Sequence, residues 1–477
     1  MLGRTNAVVA IGGGTGTLNV IAATELPSAA LGTACVIVGS GVTAESIHVK
    51  TTEPAHANNR VWVEIEDIAN NCIGGNGGTV FRLKRAWISD GTNWLPCDGY
   101  YTLYSEWIRF SWEFTTLGIE WGYGNQTPLL TRTGDAVGAN ASAGVGSVAG
   151  ESDFDDFPIF SEIRRCNLSD AGVVNAYESE TGYTTDGSNG QVMVEIPAFY
   201  YKAEIDTVNV KYRYSISNHE QDGYALHPMF QHNGETQNAI YIAAYETSAG
   251  YASKSGAAPL VSQTRAVTRT GIRGARGNQW STVDMAARVG IGMLMVIEFA
   301  TLNTQSAIGP GISGASAAST TGGADGVAGS SGRAAGTANL CAVAWRGLEN
   351  WWGNVWEWVD GFNVNGGVVY HCLNQLQFAD DTASNYTSTG VTFGTALSAA
   401  YGTMLACPTG APWAAIPNAH SGGSDATYLC DACYSSTGWR VAGAGGHWSY
   451  GANCGAFAWN WNNASSNANA NIGSRIL

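Results

Sequence analysis

The chain has 477 residues and a formal net charge of −15 at pH 7, and only 13% of its residues are charged. This acidity disfavours nucleic acid as a partner, because phosphate binding requires clustered Lys and Arg, and it also disfavours an anionic membrane surface. The 62 Gly, 17 Trp and 20 Tyr residues predict a mostly β fold (α+β) with few helices and long loops.

The sequence predicts a protein that is made in a cytoplasm and is not inserted in a membrane. No stretch reaches the ~18 apolar residues of a membrane span. The first four residues are not followed by the apolar segment of a secretory signal. Ten Cys residues are too sparse for a disulfide framework. Cys430 and Cys433 form a lone C-x-x-C pair, and buried thiols are favoured there over a metal or redox site.

The N-terminal quarter is predicted to serve attachment. Residues 1–37 contain a Gly run and an Ala/Thr-rich stretch, which predict an arm that is flexible or ordered by a partner. Residues 38–128 are predicted to form small β modules, because short β runs alternate with turn signals. These runs are residues 34–38, 60–65, 80–88 and 107–114, and residues 87–94 predict a hairpin.

The rest of the chain is predicted to form one large domain, residues 129–477. Residues 134–150 have the composition of a linker. Strands are predicted at residues 191–202, 208–216 and 241–245. One helix is predicted to begin after an N-cap at Ser281 and to end near Asn303, because apolar residues recur there at helical spacing. Residues 306–339 form a low-complexity loop, and such a long loop inside a domain is usually functional or disordered.

The closing stretch alternates between aromatic and small residues. Phe457, Trp459 and Trp461 stand at every second position, with small or polar residues between them. A period of two predicts a strand with one aromatic face in the core. The other face is expected to be free for solvent or a ligand.

Two motifs carry a resemblance to a known fold. The run GNVWEW at residues 353–358 resembles the same motif in formylglycine-generating-enzyme-like folds, a branch of the C-type lectin fold. WRV at residues 439–441 and GGHW at 445–448 are similar to a later stretch of that family, in matching order and separation. The resemblance implies a C-type lectin-like domain with the second motif on a strand that leads to the ligand face.

Residues 433–475 resemble the variable region of proteins diversified by retroelements. In that family a reverse transcriptase copies a template with errors at adenines, so chosen codons change while the scaffold stays. The resemblance implies that the variable, ligand-binding positions are Ala442, Ala444, His447, Ser449, Tyr450, Ala452, Ala456, Ala458 and Asn460. It implies that the scaffold of the site comprises Trp352, Gly353, Asn354, Trp356, Trp358, Trp439, Arg440, Trp448, Phe457, Trp459 and Trp461.

The N-terminus looks like the opening of phage tail fibre proteins with lectin-type tips. The similar segments are residues 1–6, 51–54 and 61–63. The resemblance implies a virion protein at the phage tail tip or fibre, which contacts tail or baseplate proteins through its N-terminus. It also implies a homotrimer that binds a protein or glycan receptor on a bacterial surface and so determines tropism.

Catalysis is not expected from the sequence. Formylglycine-generating enzymes use a close Cys pair that binds copper, whereas Cys454 stands alone in the corresponding region. The eight His residues are scattered, and no H-x-x-H pair occurs. Glu349, Glu357 and Asp360 are interpreted as hydrogen-bonding partners around a Trp core rather than as glycosidase acids.

No catalytic residue, metal or cofactor is therefore assigned. Calcium is left open as a ligand, although the chain has no E-P-N or Q-P-D motif. Two alternatives also stay open. One is a bacterial cell-surface diversified lectin-like protein, and the other is a formylglycine-generating-type metal-dependent oxidase.

Overall fold

The computed structural model describes residues 115–392 and 399–477, and in residues 1–114 only the backbone of eight β-strands. The described chain is mostly β with three α-helices, as predicted from composition. It divides into two compact units, Met1–Phe114 and Thr115–Leu477. The division lies upstream of the expected boundary at 128/129, because strand Thr116–Gly122 pairs within a sheet of the second unit.

The strands of the first unit form two small sheets. The first has the order β1-β3-β7-β8, and in the second β2, β5 and β4 follow one another while β6 pairs with β5. The predicted runs at residues 60–65, 80–88 and 107–114 each overlap a strand, and Ser89 pairs with Trp94 across the predicted hairpin. The side chains of the predicted arm, residues 1–37, lie outside the described residues. The strands are β1 (Asn19–Ala23), β2 (Ile37–Val38), β3 (Ser46–Lys50), β4 (Val61–Asp67), β5 (Thr79–Ser89), β6 (Trp94–Pro96), β7 (Asp98–Leu103) and β8 (Glu106–Phe110).

The second unit contains all three α-helices. Its strands before the helices are β9 (Thr116–Gly122), β10 (Thr131–Gly134), β11 (Gly144–Val145), β12 (Arg164–Leu168), β13 (Val174–Tyr177), β14 (Gln191–Pro197), β15 (Tyr200–Asp206), β16 (Lys211–Ser217), β17 (Ala225–Leu226), β18 (Gln231–His232), β19 (Glu235–Thr236) and β20 (Ala239–Ala243). The helices are α1 (Arg265–Arg276), α2 (Met285–Phe299) and α3 (Thr304–Ala307).

The strands after the helices end the chain. They are β21 (Ser331–Arg333), β22 (Val343–Trp345), β23 (Leu348–Glu349), β24 (Trp356–Asn365), β25 (Val368–His371), β26 (Thr387–Thr392), β27 (Ala400–Tyr401), β28 (Met404–Leu405), β29 (Pro417–Ala419), β30 (Ala432–Ser435), β31 (Trp439–Ala444), β32 (Trp459–Asn463) and β33 (Ile472–Gly473).

One eight-stranded sheet organises the second unit. Its order is β26-β25-β24-β31-β32-β30-β27, and β33 pairs with β24. A five-stranded sheet has the order β10-β9-β16-β15-β17, and two four-stranded sheets have the orders β13-β12-β14-β20 and β11-β21-β22-β23. Two further sheets have two strands each, β18-β19 and β28-β29. The central position of β31 and β32 in the largest sheet decides the surroundings of the closing stretch.

Helix α2 runs through the core. All but its last residue are buried, and apart from Arg288 and Glu298 its residues are apolar or small on every side rather than on one stripe. Its N-cap is Asp284, whose carboxylate accepts the N–H of Ala287 at 2.9 Å. The predicted N-cap at Ser281 was therefore wrong, and the helix ends at Phe299 rather than near Asn303. Helix α1, capped by Thr264, was not predicted.

Two stretches interpreted as linker or loop belong to the folded unit. Residues 134–150 contribute β11, which pairs in parallel with β21. Residues 306–339 are ordered by hydrogen bonds such as that from the N–H of Ser313 to the carbonyl of Asn339 at 2.9 Å. The predicted strand at residues 191–202 is two strands, β14 and β15. In the part of the chain that the structure describes, no helix has the length and apolar character needed to cross a membrane.

Candidate ligand-binding site

The segment expected to bind ligand lies in the middle of the eight-stranded sheet. Strand β31 pairs antiparallel with β32, and β32 pairs in parallel with β30 on its other side. Strand β32 therefore has a neighbouring strand on each of its two edges. The predicted strand is present, but its setting differs from the expected one.

The expectation of an exposed second face on this strand was wrong for Ala458 and Asn460, which are buried, whereas Asn462 on the same face is exposed. The side chains of Phe457, Trp459 and Trp461 pack in the main core, as predicted. On the other face Ala458 packs with Trp356, Trp358 and Tyr434. Aromatic side chains of neighbouring strands therefore cover the small residues. The buried members of the proposed variable set, each at most 7% exposed, are Ala442, Ala444, His447, Ala456, Ala458 and Asn460.

Strand β31 also orients differently from the expectation. Ala442 and Ala444 belong to the main core, whereas Val441 packs on the side of Trp356. Positions 442 and 444 suit small side chains such as alanine, because a larger side chain would have to displace core neighbours. Val441, which is not among the proposed variable positions, thus lies on the face opposite to that of the two alanines, which point into the core.

The loop at residues 447–453 brings the remaining proposed positions to the surface. Ser449 and Ala452 are exposed, and Tyr450 is half-buried. A short 3₁₀ turn, Gly451–Asn453, shapes the loop. These three residues are the members of the proposed set that a ligand reaches without rearrangement of the chain.

An outer aromatic cluster lies beside this loop. It comprises Trp356, Tyr401, Tyr434, His447, Trp448 and Tyr450. The ring of Tyr450 lies 4.3 Å from that of His447, 5.4 Å from that of Tyr434 and 5.3 Å from that of Trp356, centroid to centroid. Rings at such separations in tilted and edge-to-face arrangements attract one another by ~1 kcal/mol per pair. The cluster fixes the base from which the exposed loop projects.

The outer aromatic cluster carries no formal charge at neutral pH. Burial lowers the pKa of His447 to about 4, so its imidazole is neutral. Burial, followed by the hydrogen bond with Tyr450, raises the pKa of Tyr434, so its phenol stays protonated. The hydroxyl of Tyr401 donates to Oδ1 of Asn453 at 2.7 Å. The surface therefore offers aromatic, hydroxyl and amide groups to a ligand.

Groups outside the proposed variable region hold the backbone of this segment. The carbonyl of Asn354 accepts the N–H of Trp448 at 3.0 Å, and the carbonyl of Ser313 accepts the N–H of Gly451 at 2.8 Å. The amide of Gln305 donates to the carbonyl of Gly451 at 3.2 Å and to that of Cys454. The path of the loop therefore depends on the low-complexity loop and on α3.

Two further anchors hold the return of the chain into β32. Thr304 Oγ1 accepts the N–H of Ala456 at 3.1 Å, and a carboxylate oxygen of Asp431 accepts the N–H of Phe457 at 2.7 Å. Asp431 is fully buried, and burial raises its pKa well above its ordinary value. Because its bond is to backbone, it does not depend on the identity of the side chain at 457.

The GNVWEW motif supports the site from beneath. Trp352, Trp356 and Trp358 are each at most 2% exposed. Glu357 lies between two buried guanidinium groups, those of Arg288 at 3.3 Å and Arg475 at 2.6 Å. These ion pairs join α2, β24 and the closing segment. The partners of the Glu357 carboxylate are thus core residues.

Asn354 and Glu349 bind the low-complexity loop to this motif. Asn354 adopts φ 54°, and its amide oxygen accepts the N–H of Ser319 at 2.7 Å while its Nδ2 donates to Glu246. Glu349 accepts the N–H groups of Gly322 and Ala324 at 2.8 and 2.7 Å. The loop is thereby placed where it also contacts Trp448, through the N–H of Ala315 at 2.6 Å.

The other scaffold residues divide between core and surface. Phe457, Trp459 and Trp461 are buried, and Gly353 has φ 80° with no room for a Cβ next to the backbone of Ile312. Trp439 and Arg440 are half-buried. The rings of Trp439 and Tyr370 lie 5.9 Å apart in a tilted arrangement, and Arg440 donates to the carbonyl of Trp439 and the hydroxyl of Ser436.

The cysteines are free thiols in the described part of the chain. Burial raises the pKa of Cys430 to about 12 and also raises that of Cys433 and Cys454. A thiol with a raised pKa is a poor nucleophile and a poor metal ligand. No group of three or more His, Cys, Asp or Glu residues placed to hold a metal occurs among the described residues.

Several residues of the site were missed by sequence reasoning. Tyr401 and Tyr434 complete the outer aromatic cluster, and Thr304, Gln305 and Asp431 anchor the backbone. Tyr434 precedes the second motif closely enough to be a candidate. The others lie at sequence distances where only the three-dimensional fold brings them to the loop. No protein-family model matches the chain, and no curated protein matches it.

Proposed function

We propose that the chain is a receptor-binding protein of a phage tail, which attaches the virion to a bacterial surface through a retroelement-diversified face. The observation that carries the proposal is the 447–453 loop. Ser449 and Ala452 are exposed in it, whereas its backbone is held by groups outside residues 433–475. Such an arrangement allows side chains to change without a change in the path of the chain.

Because most of the proposed variable positions are buried, we assign only a few of them to direct contact with the receptor. Ser449, Tyr450 and Ala452 would contact it directly, together with the edge of the outer aromatic cluster. The six buried members of the set would act on the shape of the face instead. An uncharged surface of Tyr, Trp, Ser and Asn resembles in composition the paratopes of antibodies, in which aromatic side chains supply contact area at low entropy cost.

We further propose that the protein acts as a homotrimer. A single small loop supplies few contacts, and three copies on one tail would raise the overall affinity by ~10²–10⁴ where the geometry allows simultaneous binding. Light scattering on the full chain is expected to give the mass of three chains. A monomer at micromolar concentration would contradict this part of the proposal.

The decisive test compares binding to bacteria. The fluorescently labelled full chain is incubated with a panel of bacterial isolates, next to the variants Ser449→Arg and Ala452→Arg. A matched control carries Val208→Arg, which is also exposed but lies in the turn between β15 and β16. We expect binding to some isolates, lost in the loop variants and kept in the control.

Two outcomes would overturn the proposal. One is binding that the loop variants leave unchanged, and the other is the absence of binding to every isolate. The neighbouring DNA offers a separate test, since the diversification requires a near-copy of the codons for residues 433–475 with adenines at the variable positions. If the chain fractionates with cell envelopes rather than virions, the cell-surface lectin alternative replaces the phage assignment.

A further inference from the structure

Strand β20 forms an edge of the four-stranded sheet β13-β12-β14-β20. In an antiparallel pair, residues that exchange hydrogen bonds alternate with residues whose N–H and C=O point away from the partner strand. The N–H of Ala244 donates to the carbonyl of Val192 at 2.9 Å, and the N–H of Ala198 donates to that of Asn238 at 2.8 Å. In the register of the pair, these bonds direct the even-numbered residues of β20 toward β14.

The odd-numbered residues therefore point outward from the sheet. At one end the edge is already occupied, because the N–H of Ala243 donates to the carbonyl of Ile476 at 2.9 Å. Beyond it the N–H of Thr247 donates to the carbonyl of Ser474 at 2.8 Å. Residues 474–476 thus run antiparallel along the continuation of this edge.

The hydrogen bonds between this edge and residues 474–476 end at Ala243 and do not reach Tyr241. No hydrogen bond between described residues involves the outward N–H or C=O groups of Tyr241 and Ala239. Pairing with β14 does not use these groups either, because in this register the N–H and C=O groups of Tyr241 and Ala239 point away from β14, and Ala239 stands opposite Pro197, which has no N–H. An edge with such unpaired groups is a template for another extended chain.

A groove of about 490 Å³ opens along this part of the edge. Its volume lies in the range of ligand sites in proteins. Leu168, Ile240, Trp280 and Leu477 form its apolar lining, and Tyr241 is half-buried beside them. The polar lining residues are His232, Asn233, Glu235, Gln237 and Gln279.

The charge of the groove lining favours a bound chain segment without acidic residues. It includes the exposed carboxylate of Glu235 and no Lys or Arg. Nε2 of His232 donates to the carbonyl of Gln279 at 2.9 Å, and burial lowers the pKa of the imidazole. A basic side chain next to Glu235 and an apolar side chain toward Trp280 complement these surroundings.

We propose that this groove binds an extended peptide segment of a partner protein, which adds a strand to the open edge of β20 at Tyr241 and Ala239. Such strand addition takes affinity from main-chain hydrogen bonds and specificity from side-chain pockets. At ~3.4 Å per residue, pairing with both positions requires a segment of about three to five residues. The segment carries an apolar residue and a Lys or Arg. This inference does not rest on the proposed receptor-binding function.

The test uses the full chain and a bead-displayed library of seven-residue peptides. Enriched peptides are labelled and titrated by fluorescence polarisation against the wild type and the variant Ala239→Pro. Proline removes the outward N–H only, and edge strands tolerate proline where that N–H faces away from the sheet. We expect apolar and basic peptides to be enriched, and binding to the variant to be at least tenfold weaker.

A second measurement stays informative if Ala239→Pro does not fold. Each backbone N of an enriched peptide is methylated in turn, which removes one donor from the peptide and leaves the protein unchanged. Strand addition predicts weaker binding at alternate positions, and the intervening positions serve as matched controls. Failure to enrich any peptide, or equal tolerance of methylation at all positions, would overturn the proposal.

Discussion

At the scale of single residues, glycines with positive φ decide the path of the proposed recognition loop. Gly446 has φ 91°, and a Cβ there would lie 2.4 Å from the sulfur of Cys454. Gly455 has φ 151°, and a Cβ there would lie 2.0 Å from a carboxylate oxygen of Asp431. Gly451 has φ 59° but open space around it. A side chain would therefore be crowded at Gly446 and Gly455 but not at Gly451, although all three residues have positive φ.

We expect Gly455→Ala to lower the free energy of unfolding by ~3 kcal/mol or more, because the methyl group displaces a buried carboxylate. Gly451→Ala serves as the matched control. It is expected to cost only ~1–2 kcal/mol, the penalty for a left-handed non-glycine residue. Urea denaturation of the two variants measures the difference. Equal losses would show that crowding at Asp431 does not constrain the loop.

A second residue-scale prediction concerns the dependence of stability on pH. Burial raises the pKa of Glu349 from 4.5 to about 7, against the lowering effect of the N–H groups of Ala324 and Gly322. The folded chain thus holds this proton more tightly than the unfolded chain. The contribution of Glu349 to the free energy of unfolding is therefore greatest below pH 4.5 and falls as the pH rises through 7.

Between pH 5 and 8 we expect the wild type to lose roughly 2 kcal/mol more than the variant Glu349→Gln. Asp284, whose pKa burial raises to about 6, acts in the same direction in both proteins. His227, whose pKa burial lowers to about 3, acts in the opposite direction below pH 6.5 in both. Urea denaturation at several pH values checks the prediction, and parallel curves for the two proteins would refute it.

At the scale of elements, strand β32 shows how far the sequence reaches. The alternation of Phe457, Trp459 and Trp461 was sufficient to predict a strand with an aromatic face. It did not reveal that β30 and β31 lie on either edge, nor that Trp356 and Tyr434 cover the other face. Small residues between aromatics suit a covered face as well as an exposed one, so burial had to come from the fold.

The same limit applies to the helices. The apolar spacing of α2 predicted a helix, but Ser281 was chosen as the N-cap although Asp284 is the residue whose side chain accepts the N–H of Ala287. Helix α1 escaped prediction because six of its twelve residues are Arg or Gly, and its buried Arg265 and Arg269 look like surface residues in a sequence. They pair with Asp360 and Asp380, which only the fold brings near.

We expect the loop and the strand to differ in their tolerance of substitution. Ser449→Tyr is exposed and is expected to change the free energy of unfolding by less than ~0.5 kcal/mol. Ala458→Tyr forces a phenol among packed rings and is expected to cost ~3 kcal/mol or to prevent folding. Thermal denaturation of both variants tests this. A stable Ala458→Tyr protein would restore the strand to the proposed binding face.

Gln305 gives a prediction for the anchors of the loop. Gln305→Met keeps the length of the side chain and removes its two donors to the carbonyls of Gly451 and Cys454. We expect a loss of ~1–3 kcal/mol, because the carbonyl of the buried Cys454 loses its donor, whereas that of Gly451 keeps the N–H of Cys454. Amide hydrogen exchange at residues 449–457 is expected to accelerate, while exchange in α2 stays slow. Uniform acceleration throughout the second unit would argue against a local anchor.

At the scale of the whole molecule, the second unit has its own core. Its hydrophobic cluster extends from Leu117 in β9 to Leu477. We expect residues 115–477, expressed alone, to unfold in one cooperative thermal transition. Circular dichroism and calorimetry measure this transition. Aggregation or a broad melt of this fragment would show that the first unit is required for its stability.

The closing residues set the time at which the second unit can fold. Residues 472–477 pair with the start of β24 and with Ser281, and Arg475 contributes the guanidinium that pairs with Glu357. A ribosome delivers these residues only after it has translated the loop at residues 447–453. Each new version of the loop would therefore be synthesised in full before the core closes, so that defective versions are exposed as unfolded chains to cellular proteases rather than built into an assembly.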